Sequence, residues 1–421
     1  MVIDTRLARL RHAVTQHTAI QRASNRPPDS IASLPPIDVI LRGDWHETDH
    51  GPIFIRDEWF PLDHRHGSSP LRAALDAPPE ALAHLLGAAD APRASSMAFF
   101  DIETTGLSGG TGTWVILAGL GSYEDGAFRM RQYFLADIAH ERAMLSMLAA
   151  DLERFEGLVT YNGRSFDMPF VQTRMTLARV RYPCERHAHL DLLHAVRRLY
   201  RHRMPNCRLS EAERHLLRID RQDDVPGSLI PPLYFDYVRA GRAAPLRAVF
   251  RHNTDDVLSL VGVLAGCARL LSAAELNPDD AIAAARWWEY ARRPERAIAL
   301  YRAALPWLEG GDDWSWAAAR HARLCKRAGL RHEAAPLWEQ LWQRGDRMAG
   351  LELAKHREHR QRDAASAREV VLRLLDAAEG REEESLHNRL RRLERKLARS
   401  AGAGGRVASW PGGGIGRRSL E

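Results

Sequence analysis

Lysine is almost missing from this chain: Lys326, Lys355 and Lys396 are the only three among 60 basic residues, so arginine supplies the other 57. The planar guanidinium suits phosphate better than an ammonium does, but a biased genome composition gives the same excess, so the scarcity alone excludes little. Cysteine is also sparse. Cys184, Cys207, Cys267 and Cys325 are scattered with no Cys-x-x-Cys spacing, which argues against a disulfide framework and a zinc ribbon. No apolar run approaches the roughly 18 residues of a membrane span. Met1 to Gln16 is interrupted by Asp4, Arg6, Arg9, Arg11 and His12, so no signal-peptide core is expected and the cytoplasm is the expected compartment.

What is present is the composition of a globular protein, 45% hydrophobic and 27% charged, with 421 residues that exceed one ordinary core. A formal charge of +6 and a pI near 9.3 are compatible with a polyanionic partner. Residues 1–95 read as an N-terminal arm, Pro-rich near residue 35, and an accessory segment. The latter has one or two short strands, at Gly51–Arg56 and Phe60–Leu62, and a helix from Pro78 to Arg93. His46, His50, His64 and His66, with Asp49 and Asp63 among them, match no zinc spacing and read as a polar cluster or a loop at the rim of a site.

The apolar run Met97–Phe100 reads as a buried strand that presents Asp101 and Glu103 before the turn Thr104-Thr105-Gly106. Residues two apart on a strand share a face, so both carboxylates reach one divalent ion, although a lone Asp-x-Glu is common by chance. Strands at Thr111–Ser122 and Phe128–Leu135 follow, joined by a turn at Glu124-Asp125-Gly126. A helix over Ile138–Phe155 leads to a strand at Leu158–Thr160, a turn at Asn162-Gly163, and a helix over Phe166–Leu177 with Asp167 in its first turn. Asp191 ends another strand, with His187 and His189 alternating before it, and is read as a hydrogen-bond anchor. Ser210 is a helix N-cap by pattern. A helix is expected around Tyr234–Ala240, and another from Val249 places His252 and Asp256 one turn apart on one face.

Four carboxylates and one histidine are the inventory of a two-metal phosphodiesterase. Asp101-Ile-Glu103, Asn162 with Asp167, and His252-x-x-x-Asp256 resemble, in order and spacing, the motifs of the DEDD exonuclease superfamily on the ribonuclease H-like fold. The span from about Met97 to Leu271 is similar to the YprB-like ribonuclease H-like domain, including Tyr161-Asn-Gly-Arg-Ser-Phe-Asp167 and His252-Asn253. The resemblance implies an α/β domain over residues 96–272, a mixed sheet flanked by helices. It implies Asp101, Glu103, Asp167 and Asp256 as ligands of two Mg²⁺ or Mn²⁺ ions, His252 as general base, and Asn162, Thr104, Thr105 and Gly106 as substrate contacts. One departure is that His252 stands at the spacing from Asp256 that Tyr-type members give to tyrosine. The implied activity is 3′→5′ exonuclease cleavage of single-stranded DNA or RNA; the alternative is a nucleic-acid-binding scaffold with weak or no catalysis. The Ser108–Gly112 segment lengthens the turn after Gly106 into a mobile rim.

Residues 273–400 read as an all-α domain. Pro294–Leu305 aligns with Arg331–Trp342 at an offset of about 37 residues, Ala297, Leu300 and Tyr301 recurring as Ala334, Leu337 and Trp338. This resembles degenerate tetratricopeptide helix pairs and implies a groove for a protein partner. A charged helix over Glu379–Arg399 precedes a Gly-rich basic tail, residues 401–421, expected to be disordered.

Overall fold

The computed structural model describes residues 36–106, 112–273, 276–309 and 311–404. The expected N-terminal arm, the Ser108–Thr111 part of the rim and all of the basic tail beyond residue 404 lie outside the described residues. Two compact units are present. One takes the described residues up to Leu75, Pro92–Leu192 and Leu216–Val263; the other takes Asp76–Ala91, Leu193–His215 and those from Leu264 on.

The first unit is built on a seven-stranded mixed sheet: β1 (Asp44–Thr48), β2 (Gly51–Pro61), β3 (Met97–Thr104), β4 (Val115–Glu124), β5 (Ala127–Phe134), β6 (Gly157–Thr160) and β7 (Ala188–Asp191). Their spatial order is β1-β2-β5-β4-β3-β6-β7, with β3–β6 and β6–β7 parallel and every other pair antiparallel. The two short strands expected ahead of residue 62 are one eleven-residue strand with its own hairpin partner, and they extend the same sheet. Asp125 and Gly126 both have positive φ, 47° and 75°, the two-residue turn that matches the twist of the β4–β5 hairpin.

Both faces of the sheet are covered, so β4 is buried from Val115 to Ser122 instead of alternating. On one face Ile53, Phe100, Ile102 and Tyr133 pack with α1 (Glu141–Leu152) and α2 (Asp167–Leu177). The helix α3 (Leu192–Leu199) follows β7. On the other face Phe54, Leu117 and Phe134 pack with α4 (Ile230–Ala240) and the N-terminal part of α5 (Leu246–Ser272). Phe250, Val257, Leu260, Val261 and Leu264 are all buried along α5, the stripe its periodicity requires. Ser210 is not a cap. It lies inside the short helix Leu209–Ala212, whose N-cap is Arg208, because the helix starts one residue before its hydroxyl.

The second unit is helical: α6 (Pro278–Tyr290), α7 (Pro294–Leu308), α8 (Asp312–Arg327), α9 (Arg331–Gln343), α10 (Arg347–His356), α11 (Ala364–Leu375) and α12 (Gly380–Gly404). Consecutive helices pack on one another, and Ala297, Tyr301, Ala334 and Trp338 are buried on α7 and α9, the positions at which the sequence recurs. The helix expected over Pro78–Arg93 is shorter, Pro79–Leu86, stopped by Gly87 at φ 70°. No described helix is long and apolar enough to cross a membrane.

Candidate active site

Three elements bring together the acidic residues singled out by sequence. Strand β3 carries Asp101 and Glu103, and its register with β4 slips between Glu103 and Thr104, a bulge that ends regular pairing beside the two carboxylates. The turn beyond is self-contained: Thr104 Oγ1 donates to Gly106 O at 2.9 Å, and Thr105 Oγ1 accepts from Trp114 N at 2.9 Å. Thr104, Thr105 and Gly106 thus shape the rim with their own polar groups.

Asp167 opens α2, where the helix dipole favours a negative charge. The loop before it is pinned from below: Asp191 accepts from Asn162 N at 2.7 Å and from Arg164 N at 3.2 Å. Asp191 is therefore the hydrogen-bond anchor that its place at a strand end predicts. Asn162 occupies the left-handed region at φ 65°, a conformation its side chain tolerates. Gly163 is required next to it, since a Cβ there would stand 2.6 Å from Thr160 and 2.9 Å from Asp167 Oδ2. His187 bonds Leu152 O at 3.0 Å and His189 bonds Thr160 Oγ1 at 2.9 Å, so each histidine has a structural partner.

Helix α5 supplies His252, Asn253 and Asp256. The imidazole Nε2 lies 3.7 Å from Glu103 and 3.8 Å from Asp256, while Nδ1 lies 2.7 Å from Asp224. Asp256 is paired with Arg221 at 2.6 Å. Asn253, fully buried, donates to Asp101 Oδ2 at 3.0 Å and accepts from Gln132 Nε2 at 3.0 Å. The strand below leaves room for this amide only because residue 119 is glycine; a Cβ there would meet Asn253 Oδ1 at 2.2 Å. Asp224, Arg221 and Gln132 were not found by sequence. Asp224 sits in an Asp-Asp-Val-Pro-Gly loop 28 residues from the histidine it holds, and local pattern does not reveal such a pairing. Asn253 was legible only as part of the His-Asn dipeptide in the resemblance. Of the upstream histidines, His66 reaches α5, bonding Ser259 Oγ at 2.8 Å; burial lowers its pKa to about 4.

The electrostatics are those of crowded like charges. Burial raises Asp101 well above the usual carboxylate range, and Asp256, Glu103 and Asp167 raise it further against the opposing Asn253 bond. Burial lifts Glu103 to about 8, aided by Asp256, Asp167 and Asp224 and opposed by His252. Burial, with Asp191 and Asp256, lifts Asp167 to about 7 against the pull of its own backbone N–H. Burial disfavours the charged form of His252, but Asp256, Glu103 and Asp224 outweigh it and the net shift is upward. Oxygen donors that destabilise one another in this way fit hard divalent cations, whose charge would relieve the repulsion. Asp101, Glu103, Asp167 and Asp256 are the residues that would hold them. A tighter trio of donor atoms, all within 4.8 Å, lies elsewhere at His321, Cys325 and Glu333. There the carboxylate is already gripped by Arg302 at 2.8 Å, and burial lifts the Cys325 thiol to about 11, so the trio reads as packing.

Residues 98–266 match the RNase_H superfamily, the class of protein that this sheet and its acidic cluster define. Enzymes of the superfamily generally use divalent metal ions for nuclease-type hydrolysis of nucleic acid. The chain is 33% identical over 383 residues to "Uncharacterized protein YprB" of Bacillus subtilis (strain 168), a span covering 86% of this chain and 92% of that protein. It belongs to the YprB family.

Proposed function

We propose that the chain is a DEDD-type nuclease that hydrolyses phosphodiester bonds 3′→5′ in single-stranded DNA or RNA with two Mg²⁺ or Mn²⁺ ions. The observation that carries this reading is the convergence of Asp101, Glu103, Asp167 and Asp256, with His252 beside Glu103 and Asp256, at an electrostatic cost that a purely structural site has no reason to bear. When bound, the cations would supply charge to the transferring phosphoryl group and lower the pKa of the attacking water. Asp224 holds His252 Nδ1 and leaves Nε2 directed at Glu103 and Asp256, where it would take a proton from that water. Asn253 fixes Asp101, and Asp191 fixes the loop that presents Asp167. The Thr104–Gly106 turn and Asn162 would border the terminal nucleotide.

In this reading residues 96–272 form the nuclease domain. Residues 273–400 form tetratricopeptide-like pairs for a protein partner, and the protein is cytoplasmic, in keeping with four free cysteines. A binding-only scaffold draws support from Arg221, whose guanidinium already neutralises Asp256. The two readings separate on 5′-labelled oligonucleotides, free or blocked at the 3′ end, incubated with Mg²⁺ or Mn²⁺. A ladder from the free 3′ end that disappears with Asp101→Ala supports the exonuclease. Binding without cleavage on every substrate rejects it.

A further inference from the structure

Within the helical unit a depression of about 630 Å³ is lined by His194, Arg197 and Arg198 of α3, Arg201 and His202 of the turn that follows, and Arg286 of α6. Clustering four guanidiniums that no carboxylate pairs directly raises the free energy of the folded chain. The neighbouring Arg203, one residue beyond His202, is by contrast paired: it bonds Asn277 at 3.0 Å and pairs with Asp280 at 2.7 Å. Among the described residues no carboxylate is paired with Arg197, Arg198, Arg201 or Arg286, and Asp279 and Asp280 act on His202. Arg197, Arg201 and Arg286 are exposed, with their donors available.

The cations are interleaved with aromatic rings. The Arg198 guanidinium lies 3.4 Å from the centroid of Tyr290 and 5.5 Å from that of Trp287. Tyr290 is 69% exposed and stands one helical turn from Arg286 on α6. Guanidinium forks match phosphate oxygens, and an exposed ring beside them offers a face for an unpaired base. That combination is what sequence-tolerant single-strand binding uses; a duplex keeps its bases stacked internally and has no use for the ring.

We propose that this arginine pocket is a second contact site for nucleic acid, gripping the sugar-phosphate backbone of a single strand while Tyr290 stacks on a base. The proposal rests on the reading that the chain acts on nucleic acid, but not on catalysis. The test is fluorescence polarisation of the full chain with labelled 20-nucleotide oligo-dT and oligo-U in EDTA, which prevents cleavage, over a range of salt. Arg197→Glu with Arg201→Glu is expected to weaken binding at least tenfold and to flatten the log–log salt slope by about 1.4, since each phosphate contact on a single strand contributes roughly 0.7. Tyr290→Ala is expected to weaken it about fivefold or more, the equivalent of one lost base stack. Arg179→Glu with Arg181→Glu, the same charge change in the other unit, should leave binding within about twofold. Arg286→Glu, on a different helix, repeats the test if the α3 variant does not fold.

Equal weakening by the pocket and control pairs, no binding of either oligonucleotide, or displacement by an acidic peptide but not by oligo-dT overturns the pocket. Pocket-dependent binding by a chain that never cleaves upholds it while rejecting the nuclease. Cleavage with pocket-independent binding does the reverse.

Discussion

Glu358 and Glu103 are both enclosed carboxylates, and their surroundings push them in opposite directions. Glu358, in the helical unit, has no exposed side-chain surface and is held by Arg389 at 2.5 Å, Arg392 at 2.6 Å and Lys396 at 2.9 Å. Burial raises its pKa, but the bonds from Arg392 and Lys396 outweigh it and bring it down to about 2. Glu103 has four other carboxylates, Asp101, Asp167, Asp224 and Asp256, and one histidine about it and is lifted to about 8. The first arrangement is complete as it stands: the charge is neutralised by the chain itself and joins α12 to the turn after α10. The second is incomplete, because the chain gathers negative charge and provides Arg221 and His252 against it. A protein keeps such a deficit where something from outside is to supply the missing charge.

The contrast can be broken at either end. The largest effect is expected for Asp101→Asn: cleavage should fall about 10³-fold, the scale on which loss of a group stabilising transition-state charge is felt. The same substitution should leave thermal stability unchanged or raised, because it removes a charge that its neighbours oppose; a matching loss of stability would show that the cluster is structural. Glu358→Ala should do the opposite, leaving three cations without their partner and costing about 3 kcal/mol in chemical denaturation with little change in cleavage per folded molecule. Asp224→Asn comes next. With the imidazole no longer held, activity should drop about 10- to 100-fold, as for other partners that orient a site residue, and its pH profile should shift while KM stays close to its original value.

The two sites also predict stability slopes of opposite sign. A carboxylate with a raised pKa stabilises the fold below its unfolded value, near 4.5, and loses that contribution as pH rises through about 8. Glu358 contributes above 4.5 and loses its contribution as pH falls towards 2. Added Mn²⁺ should therefore raise the Tm of the EDTA-treated protein by several degrees more at pH 8 than at pH 5. Equal shifts at both pH values would separate metal binding from the raised carboxylates. The smallest effect belongs to Arg181→Ala, which breaks an exposed pair with Glu153 at 3.3 Å and should change stability by less than about 0.5 kcal/mol.

The sheet was legible where burial and turn chemistry agreed. The β4–β5 hairpin, the strand carrying Asp101 and the stripe of α5 all follow from local pattern. Strand β2 followed only at its two ends, because the polar stretch Asp57-Glu58 between them stays extended through its pairing with β5. Proline at the ends of a strand costs only bonds that the ladder does not need. The acidic residues were legible because Asp101 and Glu103 alternate on a strand that runs into a turn, Asp167 opens a helix, and Asp256 stands one helical turn from His252. Their supports were not: Asp224 lies 28 residues from His252, and Gln132 lies 121 from Asn253. Such pairings depend on how the sheet and α5 meet, and nothing in either segment records it.

The chain of amides beneath Asp101 also has a direction. Gln132 spends its N–H groups on Phe250 O and Asn253 Oδ1, which obliges Asn253 to turn its own N–H towards Asp101 Oδ2. A donor aimed at that oxygen disfavours a proton there, so the two oxygens of one carboxylate are made unequal. One is bonded to the protein; the other is left clear of that amide. The direction of a buried hydrogen-bond relay thereby decides which oxygen of a carboxylate faces away from the protein's own donors.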